Sequence, residues 1–341
     1  GESRAQATGA QGAAAQVSAP QVSADLGHGA LLTIDLDAIV ENHRFLHRTS
    51  KLRSAAAVLK ANAYGLGADR VGPALARAGV RSFFVTSLEE GLALRAVLDA
   101  VVPACSIYVL AGPLPGTEAL YQEHSLMPVI NSLGQLETWR RYNKGRDQVL
   151  PAALHIDTGM SRMGFPSIEV EKLNEYPEFL EGTLPLLIMS HLVAAEEPDN
   201  PINRQQLKAF NTALSLLPET SASLANSSGI FLGDDYHFNM VRCGAALFGV
   251  NPTPGQANPM KQVVQLQAKI LQTRWIDAPQ SVGYGATHKV SRPARIATLS
   301  AGYADGLLRS LSNRGKVWAA GREDPVDGRV SMDFLTNDIT D

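Results

Sequence analysis

Cysteine is nearly absent from this sequence, with two residues in 341, Cys105 and Cys243. They stand far apart and form no CxxC or other metal-ligand spacing. That pattern argues against a disulfide framework and a metal site, and it fits a reducing, cytoplasmic setting. Long apolar runs are missing too: none approaches the roughly 20 residues needed to span a bilayer. Residues 1–27 are rich in Ala, Gln, Ser and Gly but have neither the basic start nor the apolar centre of a signal peptide, so a disordered extension is expected there. Charge is sparse and nearly balanced, 18% of residues with a net of −3, which offers no general attraction to nucleic acid or to an anionic membrane.

What is present is apolar material, 45% of the chain, enough for a large buried core in about two domains. Eight short apolar runs recur at 55–62, 82–87, 107–112, 126–132, 152–159, 184–192, 221–227 and 238–249, and a longer amphipathic stretch usually follows each. Continuous apolar strands alternating with helical patterns indicate a parallel sheet covered on both faces. Eight such units predict an α/β fold, a closed (β/α)8 TIM-like barrel. Ser87 with Glu90, and Ser132 with Gln135, have capping-box spacing and mark two helix starts. The link between Ser227 and Phe238 is too short for a full helix. After about Pro252 the pattern changes to shorter strands at 263–276, 294–300, 316–320 and 326–335, without long helices between them. The expected layout is a barrel over 28–252 and a mostly β C-terminal domain over 253–341, with 31–34 as an added strand of the latter.

In such a barrel, chemistry gathers at the C-terminal ends of the strands. Lys60 with Asn62, His155 with Asp157, His191, and Asn226 with Ser227 fall at or near those ends, and Arg242 lies inside the last run within reach of the same mouth. A lysine closing an apolar strand emerges partly desolvated, a setting suited to Schiff-base chemistry. Gly65 and Gly67 permit close backbone approach, and Tyr64 offers a hydroxyl to a phosphate. Taken singly, each residue has a plainer reading: Lys60 as a snorkelling lysine, His191 as a hydrogen-bonded core histidine, Arg242 as a structural salt bridge, Tyr284 as an aromatic packed beside a glycine turn.

The segment Ala57-Val-Leu-Lys60-Ala-Asn-Ala-Tyr64-Gly-Leu-Gly67 resembles the cofactor-binding signature of the alanine racemase family, K-A-N-A-Y-G-H-G, with Leu66 where the family usually has histidine. Six further stretches resemble that family's motifs, in its order: the D-T-G-M-x-R-x-G stretch at Asp157–Gly164, the A-N-S segment at Ala225-Asn-Ser227, the R-x-G segment at Arg242-Cys-Gly244, Gly283-Tyr284-Gly-Ala-Thr, Gly302-Tyr303-Ala-Asp-Gly, and Gly328-Arg-Val-Ser-Met332-Asp. The resemblance runs from Leu31 to the end of the chain. It implies a pyridoxal 5'-phosphate-dependent racemase that interconverts L- and D-alanine by a two-base mechanism and supplies D-alanine for cell-wall synthesis. It further implies a homodimer in which the second domain of one subunit closes the barrel mouth of the other. By the same resemblance Lys60 carries the cofactor and acts as one base, and Tyr284 is the opposing base. Tyr64, Asn226, Ser227 and the backbone at Gly244 and Ala245 hold the cofactor phosphate and its surroundings. Arg162 serves the phenolic oxygen and the substrate carboxylate, Arg242 the pyridine nitrogen, His191 the ring, and Met332 offers a backbone contact near the substrate carboxylate. To work at neutral pH Tyr284 is expected to need nearby positive charge or a hydrogen-bond partner, with His191 and Arg242 as the candidates.

The sequence departs from the family at some points. His155 stands where many members have a lysine that can be carbamylated, so the group that orients Arg162 must come from elsewhere. Ser331 replaces a cysteine seen in some members. A further phosphate-binding tyrosine, expected beyond the M-D motif, has no counterpart up to Asp341, so the second domain is expected to be incomplete at its C-terminus. Three alternatives remain open: a broader-specificity amino-acid racemase, a decarboxylase of the same barrel-plus-β plan, and a non-catalytic pyridoxal-phosphate protein of the single-barrel kind. The absent signal segment argues against the first, the G-Y-G-A-T motif against the second, and the length after Pro252 against the third.

Overall fold

The computed structural model describes residues 27–319 and 321–340. The extension expected over 1–27 lies, apart from Gly27, outside them. Two compact units result: one spans Ile34–Gln265, and the other joins the segment ending at Thr33 to Leu266–Asp341. The chain enters through β1 (Ala30–Ile34).

In the first unit eight parallel strands close a barrel: β2 (Ser54–Val58), β3 (Ser82–Val85), β4 (Ser106–Val109), β5 (Leu126–Ile130), β6 (Pro151–His155), β7 (Leu184–Met189), β8 (Ser221–Ser223) and β9 (Met240–Cys243), with β9 returning to pair with β2. The strands fall on the eight apolar runs, and each is shorter than its run because the C-terminal part of the run leaves the sheet to form the mouth. The interior is filled rather than hollow. Small residues such as Ala56 and Ala153 leave room for Phe84 and Tyr108, whose stacked rings have centroids 4.5 Å apart. Outside, helices cover the strands with a continuous apolar layer. Their starts follow the capping arithmetic: Glu90 N donates to Ser87 Oγ at 3.3 Å and Ser87 N to the Glu90 carboxylate at 3.2 Å, while Gln135 N donates to Ser132 Oγ at 3.2 Å. The short link after Ser227 contains two 3₁₀ turns, Gly229–Leu232 and Asp234–Tyr236.

One barrel element differs from expectation. The first strand does not continue to residue 62 but stops at Val58. Lys60–Tyr64 instead forms a tight turn in which Ala61, Asn62, Ala63 and Tyr64 all have positive φ, between 51° and 56°. Leu59 N still donates to Phe84 O at 2.8 Å, but Ala63 N turns back to Leu59 O and Gly65 N to Ala61 O, both at 2.9 Å.

The second unit is mostly β. It holds β10 (Val264–Ala268), β11 (Ile270–Ile276), β12 (Ser281–Val282), β13 (His288–Lys289), β14 (Ala294–Leu299), β15 (Lys316–Ala319), β16 (Arg322–Pro325) and β17 (Leu335–Asp338). β10 pairs with β1; β11, β14 and β17 form an antiparallel sheet; β12–β13 and β15–β16 are hairpins. Two expected strands are corrected. The 263–276 run splits at Lys269, whose N–H donates to Gly29 O at 2.8 Å, and its halves take different partners. The 326–335 run is a loop between β16 and β17. Gly328 has φ +81° and exchanges two hydrogen bonds with Asn313, and Ser331 N closes a turn on Phe334 O at 3.0 Å. Val326 and Val330 are apolar because they are buried in that unit's core.

Candidate active site

A cavity of about 430 Å³ opens among the C-terminal strand ends of the barrel. Its lining includes every barrel residue that the sequence analysis assigned to cofactor or substrate: Lys60 and Tyr64 after β2, Arg162 after β6, His191 after β7, Asn226 and Ser227 after β8, Arg242 on β9, and Gly244 and Ala245 after it.

One side of the cavity is a cluster of hydroxyls and amides. Ser227 Oγ accepts from Gly244 N at 3.0 Å and from Ala246 N at 3.3 Å. Tyr64 packs its ring on Phe248 with centroids 4.9 Å apart, and burial raises its phenolic pKa. Its Oη lies so near the backbone that a Cβ at Gly244 would come within 2.6 Å of it. A side chain at 244 would therefore force Tyr64 to shift. Asn226 shapes the same loop: its Oδ1 accepts from Gly229 N at 2.9 Å.

The floor is charged and buried. Arg242 is 4% exposed. Its Nη1 donates to Ser223 O at 3.0 Å and Ser223 Oγ at 2.6 Å, and its Nη2 to Ser190 O at 2.5 Å and His191 Nδ1 at 3.4 Å. None of these bonds uses Nε. Burial pulls the guanidinium down to about 10, which leaves it charged at neutral pH. A guanidinium only donates, so His191 Nδ1 accepts and its proton sits on Nε2. Burial first, then the Arg242 charge, holds His191 at about 3. Of the two supports expected from His191, charge or a hydrogen bond, a neutral imidazole can offer only the hydrogen bond.

His155 has the opposite tautomer. Asn131 Nδ2 donates to Leu110 O at 3.0 Å and Val129 O at 2.9 Å, which turns its Oδ1 to His155 Nδ1 at 2.8 Å. His155 therefore carries its proton on Nδ1 and a lone pair on Nε2. Burial, then Arg242, lowers its pKa to about 4. Arg162 is carried by a loop closed at its base by Phe165 N to His155 O at 2.8 Å and Asp157 N to Phe165 O at 3.0 Å. A side chain at Gly164, with φ +103°, would put its Cβ 2.8 Å from Asp157 N.

Two polar strand-end residues build loops instead of lining the cavity. Asp157 Oδ1 accepts from Gly159, Met160 and Ser161 N–H at 3.0–3.1 Å, and Asn62 Oδ1 from Ala68 N at 2.9 Å. Sequence reasoning missed Asn131, which the same strand-end signal marks, and Gln206, which nothing local marks. Gln206 is fully buried; its Nε2 donates to His191 O at 2.9 Å and Thr158 Oγ1 at 3.1 Å, and its Oε1 accepts from Val193 N at 3.0 Å.

The remaining two expected residues belong to the second unit. Tyr284 opens a 3₁₀ turn after β12, is 71% exposed, and lines a cavity of about 360 Å³ with Arg329, Ser331 and Phe334. Met332 has an exposed side chain, and its carbonyl accepts from Ala304 N at 2.9 Å.

The barrel site fits a flat, anionic, carbonyl-bearing cofactor: an amine at one end, a cradle of hydroxyl and N–H groups where Tyr64 closes on Gly244, and a charged donor below. A parallel barrel with a lysine in the cavity at its strand ends, followed by a β-rich unit, defines the structural class. Models of the alanine racemase N-terminal domain and C-terminal domain match residues 34–252 and 263–341. An alanine racemase of Rhodospirillum rubrum is 49% identical over 92% of this chain and 83% of its own length; a catabolic alanine racemase of Agrobacterium fabrum is 45% identical over 92% and 80%. The crystal structure of alanine racemase from Bartonella henselae, with covalently bound pyridoxal phosphate, superposes with a TM-score of 0.86 at 41% identity, covering 92% of this chain and 87% of that one. The chain belongs to the alanine racemase family.

Proposed function

We propose that this protein interconverts L- and D-alanine using pyridoxal 5'-phosphate attached to Lys60. The observation that carries the reading is the convergence of Lys60, the Tyr64–Ser227–Gly244 cradle and buried Arg242 on one cavity. The relatives' names and the covalently bound pyridoxal phosphate in the Bartonella henselae protein support it.

Bound there, pyridoxal phosphate supplies a ring that acidifies the α-proton of an amino acid. Tyr64, Asn226, Ser227 and the backbone at Gly244 and Ala245 hold the phosphate end. Arg242, whose Nε–H none of its bonds to Ser223, Ser190 and His191 uses, would be the residue to hold the ring nitrogen. Because a guanidinium keeps its proton, a ring nitrogen held there would stay unprotonated, which would restrain side reactions. His191 flanks the ring as a neutral donor, and Arg162, with the backbone at Met332, receives the substrate carboxylate. The Lys60 amine moves the α-proton on one face, and the Tyr284 phenol moves it on the other. Two bases are needed because one cannot reach both faces of a clamped planar centre. We assign Tyr284 to the barrel mouth of a partner subunit, in a two-fold homodimer with shared sites. The proposed setting is cytoplasmic, with D-alanine supplied to cell-wall synthesis.

Interconversion of D- and L-alanine, run beside a panel of other amino acids, tests the activity and its breadth. Borohydride reduction followed by peptide mapping tests the anchor, and adduct at full occupancy in K60A would refute it. Mixing K60A with Y284F subunits tests the shared site: exchange should restore activity, and exchange without recovery would refute the sharing.

A further inference from the structure

The turn that carries Lys60 is costly to form. Ala61, Asn62, Ala63 and Tyr64 all occupy the left-handed region, and none is glycine. Each such residue costs roughly 1–2 kcal/mol. Four in a row persist only where the surroundings over-determine them. What the conformation achieves is visible at its ends: Lys60 and Tyr64 both reach the same cavity.

A single carboxylate ties this turn down from outside. Glu90 lies on the helix Leu88–Asp99, which follows β3. Its Oε2 completes the capping box, accepting from Thr86 N at 2.7 Å and Ser87 N at 3.2 Å. Its Oε1 is not needed for that cap. It accepts from Ala61 N, the amide directly after Lys60, at 2.6 Å, a short charge-assisted bond. One side chain thus serves its own helix with one oxygen and the Lys60 turn with the other.

We propose that Glu90 is a positioning residue for Lys60: its Oε1–Ala61 bond holds the left-handed turn that sets the lysine amine against the Tyr64 end of the cavity. The inference rests on the reading of Lys60 as the cofactor anchor. Glu90 is not among the residues that line the cavity. It acts through the backbone, and placement errors near 1 Å are costly to catalysis, on the order of 100-fold.

Gln is the informative replacement, because a capping box accepts Gln as well as Glu. In Glu90→Gln the amide oxygen stays with the Thr86 and Ser87 N–H groups, and the amide NH₂ faces Ala61 N–H, donor against donor. Ser87→Ala is the control, since it weakens the cap and leaves Oε1 in place. The experiment compares holoenzymes of wild type, E90Q and S87A for the rate of pyridoxal phosphate release on dialysis, kcat and KM for alanine, and thermal midpoint. E90Q should release cofactor at least about tenfold faster and lose roughly 10–100-fold in kcat with KM little changed, while its midpoint falls no further than that of S87A. Release and kcat within twofold of wild type would overturn the proposal, as would losses in E90Q and S87A that simply track their midpoints. Should E90Q not fold, amide exchange in wild-type holoenzyme decides: Ala61 is an exposed residue, yet its N–H should exchange roughly 100-fold slower than a free amide, and unprotected exchange refutes the bond. Borohydride mapping of K60A in parallel separates the two claims. Adduct retained in K60A means the anchor is wrong; adduct lost in K60A with E90Q unchanged means only the positioning role is wrong.

Discussion

Arg242 Nη2 lies 3.4 Å from His191 Nδ1, the guanidinium buried and the half-buried imidazole in the cavity wall, and the guanidinium donates to the ring. A cation that only donates sits against a ring that must therefore accept, so of this pair Arg242 alone carries charge, beside Arg162 and Lys60 in the same lining. Replacing Arg242 by Gln removes the second of the two main causes that depress His191. In R242Q apoprotein the His191 titration, followed by the NMR signal of its ring proton, should move up from about 3 while staying below 6.5, because burial is the larger cause and remains. An unmoved titration would show that Arg242 does not set the histidine's state.

Stability should fall on mild acidification. His155 and His191 titrate at about 4 and about 3 in the folded protein against 6.5 for a free histidine. The unfolded chain therefore binds protons first as pH drops. The contribution of each histidine is complete above 6.5 and is lost as pH falls toward those lower values, roughly 2 kcal/mol apiece by pH 5. Buried His43, also lowered by burial, adds in the same direction. The urea midpoint of the apoprotein should be lower at pH 5 than at pH 7, and His155→Asn should shrink that difference. Equal midpoints at the two pH values would contradict the neutral assignments.

Gly244→Ala drives a methyl into Tyr64 Oη. Overpacking of this kind costs about 1–3 kcal/mol. In the Y64F background the clashing atom is gone, and the nearest remaining ring carbon, Cζ, is 3.5 Å from the new Cβ. The double variant should therefore be more stable than the sum of the two single effects, by thermal or urea midpoint. Additivity would mean that Tyr64 moves aside freely and the cradle is not tight.

The barrel was legible because its strands are continuous apolar runs, and the motif residues were legible because they cluster where those runs end. The same reasoning overran β2 by treating Ala61–Asn62 as strand. A left-handed turn of Ala, Asn, Ala and Tyr has no propensity signal, since it is held by the hydrogen bonds that Ala63 N and Ala61 N donate to Leu59 O and Glu90 Oε1. The 326–335 run misled for a related reason: Val326 and Val330 are apolar for burial, while Gly328 turns the chain. Gln206 and the second role of Glu90 depend on partners far along the chain. His155 was noticed as a departure, yet its neutrality follows from Asn131 and burial, which only the fold brings to it.

The most direct test of the central claim, racemisation by Lys60 and Tyr284 on opposite faces, is washout of the α-deuterium from each enantiomer of alanine by Y284F protein with Lys60 intact. In the proposed mechanism Lys60 takes the face that handles the D-alanine proton and Tyr284 the face for L-alanine. Loss of a general base typically costs roughly 10²–10⁴-fold. Washout from L-alanine should fall by that order while D-alanine continues to exchange. An equal loss for both enantiomers, or a greater loss for D-alanine, would contradict the assignment.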